Sequence, residues 1–184
     1  MSTPPDRPDG PAPSADVSVR IAWADDAPAV AAVQLGSWRS QYAGLLPDGV
    51  LPDDPAELAS TWRAALARPK DARNRVLVAL ERNRVAGFAV ITPSPDPDCD
   101  PVADAELAEL VVAPAELGKG HGSRLLQAVV DTMVADRFTR ATTWTLGTDD
   151  ARRRFLSDAG WATDSAHREL DLDGTGTTVV KQVR

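Results

Sequence analysis

Hydrophobic positions along the chain switch between a period of two and a period near 3.6, and the switches outline the elements. Val17, Val19 and Ile21 alternate with polar residues, predicting a half-buried strand that opens at Val17. Asp25 or Asp26 then caps a helix with Pro28 in its first turn. Ala31, Leu35, Trp38 and Tyr42 form one face of that helix, which Gly44 and Pro47 close. Asp54 as N-cap, Pro55 at the first helical position and Glu57 start a second helix, with Leu58, Trp62 and Leu66 as its inner stripe. Arg75–Glu81 and Val85–Ile91 read as strands joined through Arg82-Asn83-Arg84. Pro93, Pro95, Pro97 and Pro101 mark a loop expected to stay out of the sheet.

Glu106–Val112 is the next strand, stopped by Pro114. Helical spacing returns with Leu125, Val129 and Met133 beside Leu126, Val130 and Val134, a stripe wide enough to lie flat on a sheet. Thr142–Leu146 is a short strand containing Trp144. Asp149 or Asp150 caps a last helix with Ala151, Phe155 and Ala159 inward and Gly160 at its C-terminal turn. Strands around His167–Leu172 and Thr177–Val183 follow, with Gly174 and Gly176 between them. This order, β-α-α-β-β-β-α-β-α-β-β, predicts an α/β (α+β) fold with a mixed sheet covered by helices on both faces. Residues 1–16 hold five prolines and three Asp and almost nothing apolar, so a disordered tail is expected there, leaving one domain over 17–184.

Charge and composition narrow the function classes. A net charge of −7 opposes a module held on nucleic acid by phosphate neutralisation. The longest uncharged apolar run, Val85–Ile91, falls far short of a membrane span, which needs roughly 20 residues. The N-terminus has no apolar signal core, and one cysteine, Cys99, gives no disulfide framework. The two histidines offer no zinc spacing, so no metal is expected. A cytoplasmic chain without nucleic-acid or membrane partners is the expectation.

The chemistry concentrates in Glu106 to Leu126, where a strand runs into Gly118, Gly120 and Gly122 and a helix opens at once. Glycines let backbone N–H groups converge, and the first-turn amides of a helix lack internal partners, so phosphate is the natural ligand. A P-loop requires Ser or Thr directly after Gly-Lys, but Gly120 follows Lys119. A dinucleotide fingerprint requires a third glycine where Ser123 stands. The remaining reading is a diphosphate loop for coenzyme A.

In this stretch the chain resembles the GCN5-related N-acetyltransferase (GNAT) superfamily, whose loop is Gln/Arg-x-x-Gly-x-Gly/Ala; Gly120-His121-Gly122 occupies its glycine half. The resemblance covers Ala105–Trp161, including the helix ending Phe155-Leu-Ser-Asp-Ala-Gly-Trp161, and extends more weakly over Val17–Leu66. It implies a mostly antiparallel six- to seven-stranded sheet and acetyl-CoA as cosubstrate. It implies that Leu110, Val111 and Val112 hold the pantetheine arm. Gly118, Lys119, Gly120, His121, Gly122 and Ser123 would form the diphosphate cradle, His121 through its backbone. Glu106, fourteen residues before Gly120, stands at the spacing of the family's general base, with Glu109, expected on the opposite strand face, as a rival. Tyr42, the sole tyrosine, is read as core by its helical face and as a candidate acid or substrate contact by the family's acceptor cleft. Leu117 replaces the family's Gln or Arg, and Leu156 replaces a tyrosine thought to protonate the leaving thiolate. Arg152-Arg153-Arg154 reads as a solvated helix face, with one arginine available to a nucleotide 3′-phosphate, and Trp38 and Trp62 read as core.

The resemblance implies direct transfer of acetyl from acetyl-CoA to a primary amine of a small molecule or peptide, with a homodimer left open. A non-catalytic acyl-CoA sensing domain is the alternative, supported by Leu117 and Leu156. An alkyl amine with a pKa of ~10.4 is protonated at neutral pH, and freeing it costs about 4–5 kcal/mol. A carboxylate acting directly or through water can take that proton. The acidic balance of the whole chain favours a cationic acceptor.

Overall fold

The computed structural model describes residues 17–47, 49–172 and 175–184. The expected tail over 1–16 and the turn glycine Gly174 lie outside the described residues. Strands β1 (Val17–Ile21), β2 (Arg75–Glu81), β3 (Arg84–Pro93), β4 (Asp104–Val112), β5 (Arg140–Leu146), β6 (Ala162–Leu172) and β7 (Thr175–Val183) form one sheet in the order β1-β2-β3-β4-β5-β7-β6. Helices α1 (Ala27–Gln41), α2 (Pro55–Ala67), α3 (His121–Ala135) and α4 (Asp150–Asp158) complete the predicted element order. All strand pairs are antiparallel except β4 with β5.

The sheet buries both faces. On one, Leu77, Ala89, Ile91, Leu107 and Leu110 pack against Leu125, Val129 and Met133 of α3 and Leu156 of α4. On the other, Val78, Phe88 and Val111 meet Val30 and Val33 of α1, with Trp62 of α2 edge-on to Phe88 at 5.3 Å. Local chemistry sets the helix starts. The Asp54 side chain accepts from the Ala56 amide at 2.8 Å, and Asp149 accepts from the Arg152 amide at 3.0 Å. The β2–β3 turn holds Arg82 and Asn83 at φ +48° and +65°, the two left-handed positions of a tight hairpin turn.

Four expectations need correction. Pro93 pairs with Ala105 as the last residue of β3, because a strand end loses only one donor to proline. The inner line of α4 runs through Leu156, fully buried, while Ala151 is exposed. Val134 of α3 is exposed, so the stripe that packs is narrower than the apolar run. Trp38 and Tyr42 leave the core where α1 overhangs the β4 edge, and both line a cavity. That overhang positions the site.

Candidate active site

Pro114–Glu116 form a single 3-10 turn after β4, and the chain then passes through Gly118 and Gly120 at φ +76° and +83° before α3 begins at His121. A side chain is strained in that left-handed backbone. None of the backbone N–H groups of Gly118 to Ser123 meets an acceptor among the described residues. Free amides at the positive end of a helix of 15 residues give the loop a geometry and field that suit an anion.

The side chains of this loop turn the other way. Lys119 Nζ donates to Glu116 Oε2 at 2.8 Å, and Arg84 donates to Glu116 Oε1 at 2.6 Å. These two cations hold the Glu116 carboxyl down at about 2. The His121 imidazole is buried, with Nε2 3.2 Å from Glu81 Oε2. Glu81, Glu116 and His121 bring ligand atoms within 4.8 Å of one another, a grouping 40 residues apart in sequence that spacing did not show. Both Glu116 oxygens are already neutralised by side-chain cations. His121 thus offers the loop its backbone, while Lys119 braces the loop through Glu116.

Next to the cradle, β4 and β5 pair only from Asp104 to Glu106 and then part. The split leaves the β5-facing edge of Leu110, Val111 and Val112 beside a cleft of about 560 Å³. The cleft runs from the Gly118–Ser123 loop to Ser37 and Gln41 of α1, and to Asp149, which caps α4, and Arg152 and Phe155 within it. One strand group is spoken for: Arg152 Nη1 donates to the Leu110 carbonyl at 2.8 Å.

A second cavity, of about 530 Å³, opens on the α1 side of the same split. Its walls are mostly apolar, including Trp38, Tyr42, Leu46, Leu51, Trp144 and Leu146, and its charged groups are Glu109, Arg152 and Arg168. The Arg168 guanidinium lies 3.8 Å over the Trp144 ring. Trp38 therefore lines a site rather than the core.

Register explains the placement of the two carboxylates. Pairing jumps from Val90–Glu109 to Ile91–Leu107, which leaves Ala108 as an unpaired bulge residue. Leu107 and Leu110 pack with α3, whereas Glu109 accepts from Gln34 of α1 at 2.9 Å, so the bulge brings Glu106 and Glu109 to the same sheet face. The expectation of opposite faces assumed unbroken alternation. Trp62 Nε1 donates to Gln34 Oε1 at 2.8 Å and fixes which way that amide points. Burial pushes the Glu109 carboxyl up, opposed by the Gln34 hydrogen bonds and the Arg152 charge. Burial also raises Glu106, which lies outside the lining of both cavities in the field of Arg168, Asp96 and Lys181.

Tyr42 ends α1 at the cavity wall, its hydroxyl pushed up by burial and pulled down by Arg152. Arg152, read from sequence as solvated, points into both cavities. Leu156 is fully buried behind them, so α4 presents no acid. Gln34 and Trp144 are the functional candidates that sequence reasoning missed, and Arg152 was singled out only as one of three arginines available to a nucleotide 3′-phosphate. Only Gln34, a lone amide among the buried residues of α1, carried a signal.

A glycine loop with unpartnered amides, a split parallel pair and an adjoining cavity are features of an acyl-CoA-type transferase fold. The acetyltransferase (GNAT) family model matches residues 37–161, and the chain belongs to that family. No curated protein matches the sequence significantly. Among solved structures the fold is similar to that of ribosomal-protein-alanine N-acetyltransferase from Brucella melitensis, with a TM-score of 0.74 and 18% identity over 91% of this chain and 98% of that one. PaiA N-acetyltransferase from Thermoplasma acidophilum in complex with coenzyme A gives 0.69 and 17%, covering 90% and 97%. YncA from Salmonella typhimurium with its cofactor acetyl-CoA gives 0.68 and 17%, covering 92% and 93%. No helix among the described residues is long and apolar enough to cross a membrane.

Proposed function

We propose that this chain moves the acetyl group of acetyl-CoA to the primary amine of a small molecule or peptide whose body is apolar. The observation that carries the reading is that the two cavities meet at the β4–β5 split, sharing Gln41, Leu110, Val111 and Arg152. A thioester held along the first reaches an amine held in the second.

Acetyl-CoA fits the residues present. The unpartnered amides of Gly118 to Ser123 suit its diphosphate, and the β4 edge at Leu110–Val112, unpaired with β5 and occupied only at the Leu110 carbonyl by Arg152, suits the extended arm. When bound it supplies an activated acetyl group. The chain's own task is to deliver a neutral amine. Glu109 is the carboxylate in the acceptor cavity, and Gln34 holds its oxygens toward that task. Its raised pKa brings it closer to the amine's, which favours proton transfer. Glu106 serves as a more distant base through water. Tyr42, its hydroxyl pushed up by burial, is a hydroxyl donor on the wall of the acceptor cavity for the departing sulfur. The apolar lining outweighs the net charge in selecting acceptors: Trp38, Trp144 and the leucines reward a hydrophobic body.

Release of free thiol across a panel of amines tests the reading. Phenylethylamine and amphipathic peptides should turn over faster than spermidine. A thermal shift with acetyl-CoA and no thiol release from any amine would select the sensing-domain alternative, for which Leu156 speaks. No shift would remove both.

A further inference from the structure

Arg152 stands out among the charged side chains: it alone lines both cavities. It makes no ion pair among the described residues, and burial lowers its pKa from the ordinary guanidinium value, with Asp149, Tyr42 and Glu109 opposing that shift. One of its five N–H groups is given to the Leu110 carbonyl at 2.8 Å, and no other acceptor meets it among the described residues. A part-buried guanidinium keeps its proton, so it is a fixed positive charge aimed at a gap. Such a charge is costly without a counter-ion, and the gap is where the two substrates would meet. Leu156, which carries no polar atom, occupies the turn of α4 directly after Arg152 on the same side.

We propose that Arg152 is a catalytic residue that holds the negative charge developing on sulfur as the thioester breaks. The proposal rests on coenzyme A binding in the cleft beside Gly118–Ser123. With the acceptor in its free-amine form, the C–N bond forms and the C–S bond breaks. The electron pair of the C–S bond goes to sulfur, and the proton lost from nitrogen goes to Glu109. Sulfur leaves as a thiolate facing the guanidinium, and Tyr42 or solvent protonates it afterwards. A permanent cation on α4 thereby removes the need for an acid at Leu156, because the leaving group is stabilised before any proton reaches it.

The direct readout is the thiol of bound coenzyme A, titrated by thiolate absorbance in the wild-type protein, without acceptor and without turnover. The proposal expects its pKa to fall by about one unit or more below that of free coenzyme A, as an opposite charge at contact range produces. Arg152→Lys should keep part of that shift, Arg152→Gln should lose it, and Tyr42→Phe should leave it in place. A wild-type thiol pKa equal to or above the free value overturns the proposal whether or not the variants fold. A shift that survives in Arg152→Gln, with coenzyme A still bound, overturns it as well. If Arg152→Gln raises only the acceptor's KM and keeps the thiol shift, the guanidinium binds an anionic acceptor group instead. Failure of coenzyme A to bind wild-type protein in calorimetry would overturn the proposed function and the role of Arg152 with it, whereas binding without a thiol shift overturns the Arg152 role alone.

Discussion

The two cavities that meet at the β4–β5 split are built from different materials. The cleft beside α3 is made largely of backbone: six consecutive amides from Gly118 to Ser123 and a strand edge freed by the parting of β4 from β5. The neighbouring cavity is made of side chains drawn from α1, the segment that follows it, α2, β4, β5, α4 and β6. A backbone receptor tolerates many side-chain sequences as long as its glycines remain, so it suits an invariant ligand. A side-chain receptor changes with each substitution and suits selection among acceptors.

The largest effect that would sharpen this contrast is at Glu109. Glu109→Gln should lower kcat/KM by about 10²–10⁴-fold while leaving coenzyme A affinity unchanged, and Glu106→Gln should cost less than about tenfold. A base acts deprotonated, so kcat/KM rises with pH through its pKa. Burial lifts the Glu109 carboxyl, so the acid limb of the profile should lie above the ordinary carboxylate range and vanish in Glu109→Gln. Equal losses at both glutamates would break the assignment.

Gly120→Ala should act on the other side of the comparison. It places a Cβ at φ +83° and 3.0 Å from Arg124 Nη1. Strain of about 1–2 kcal/mol in the cradle should weaken coenzyme A about tenfold in calorimetry. The acceptor KM at saturating acetyl-CoA should not change. Trp144→Ala should do the reverse, raising the KM of an aromatic amine several-fold and sparing coenzyme A affinity.

The smallest effect concerns the brace under the cradle. Glu116 sits at about 2 in the folded protein because Lys119 and Arg84 neutralise it, below its ordinary value of 4.5. A carboxyl with a depressed folded pKa stabilises the fold above its unfolded pKa, and that contribution is lost as pH falls from 4.5 toward about 2. The urea midpoint of Glu116→Gln should therefore depend less on pH across that window than the wild-type midpoint.

The same division between backbone and side chains governed what could be read from the sequence. Caps at Asp54 and Asp149, glycines at 118 and 120 and the alternation in β2 and β3 act locally, so the element order and the cradle emerged directly. The bulge at Ala108 did not, since it exists only relative to its partner β3, and it alone brings Glu109 to the face of Glu106. Arg152 was hidden in a run of three arginines, where the docking angle of α4 decides which guanidinium turns inward. Pro93 was misplaced because edge and end positions of a strand are indistinguishable before pairing is known. Trp38 was assigned to the core because an apolar face on α1 looks the same whether it meets a sheet or overhangs a cavity.

A bisubstrate analogue, coenzyme A joined through a short acyl bridge to phenylethylamine, tests the adjoining-site account most directly. Its Kd for the wild-type protein should be at least about a hundredfold below that of coenzyme A, with the gain reduced in Trp144→Ala and the whole affinity reduced in Gly120→Ala. An analogue that binds no more tightly than coenzyme A itself would contradict the claim that the two cavities meet at one reaction centre.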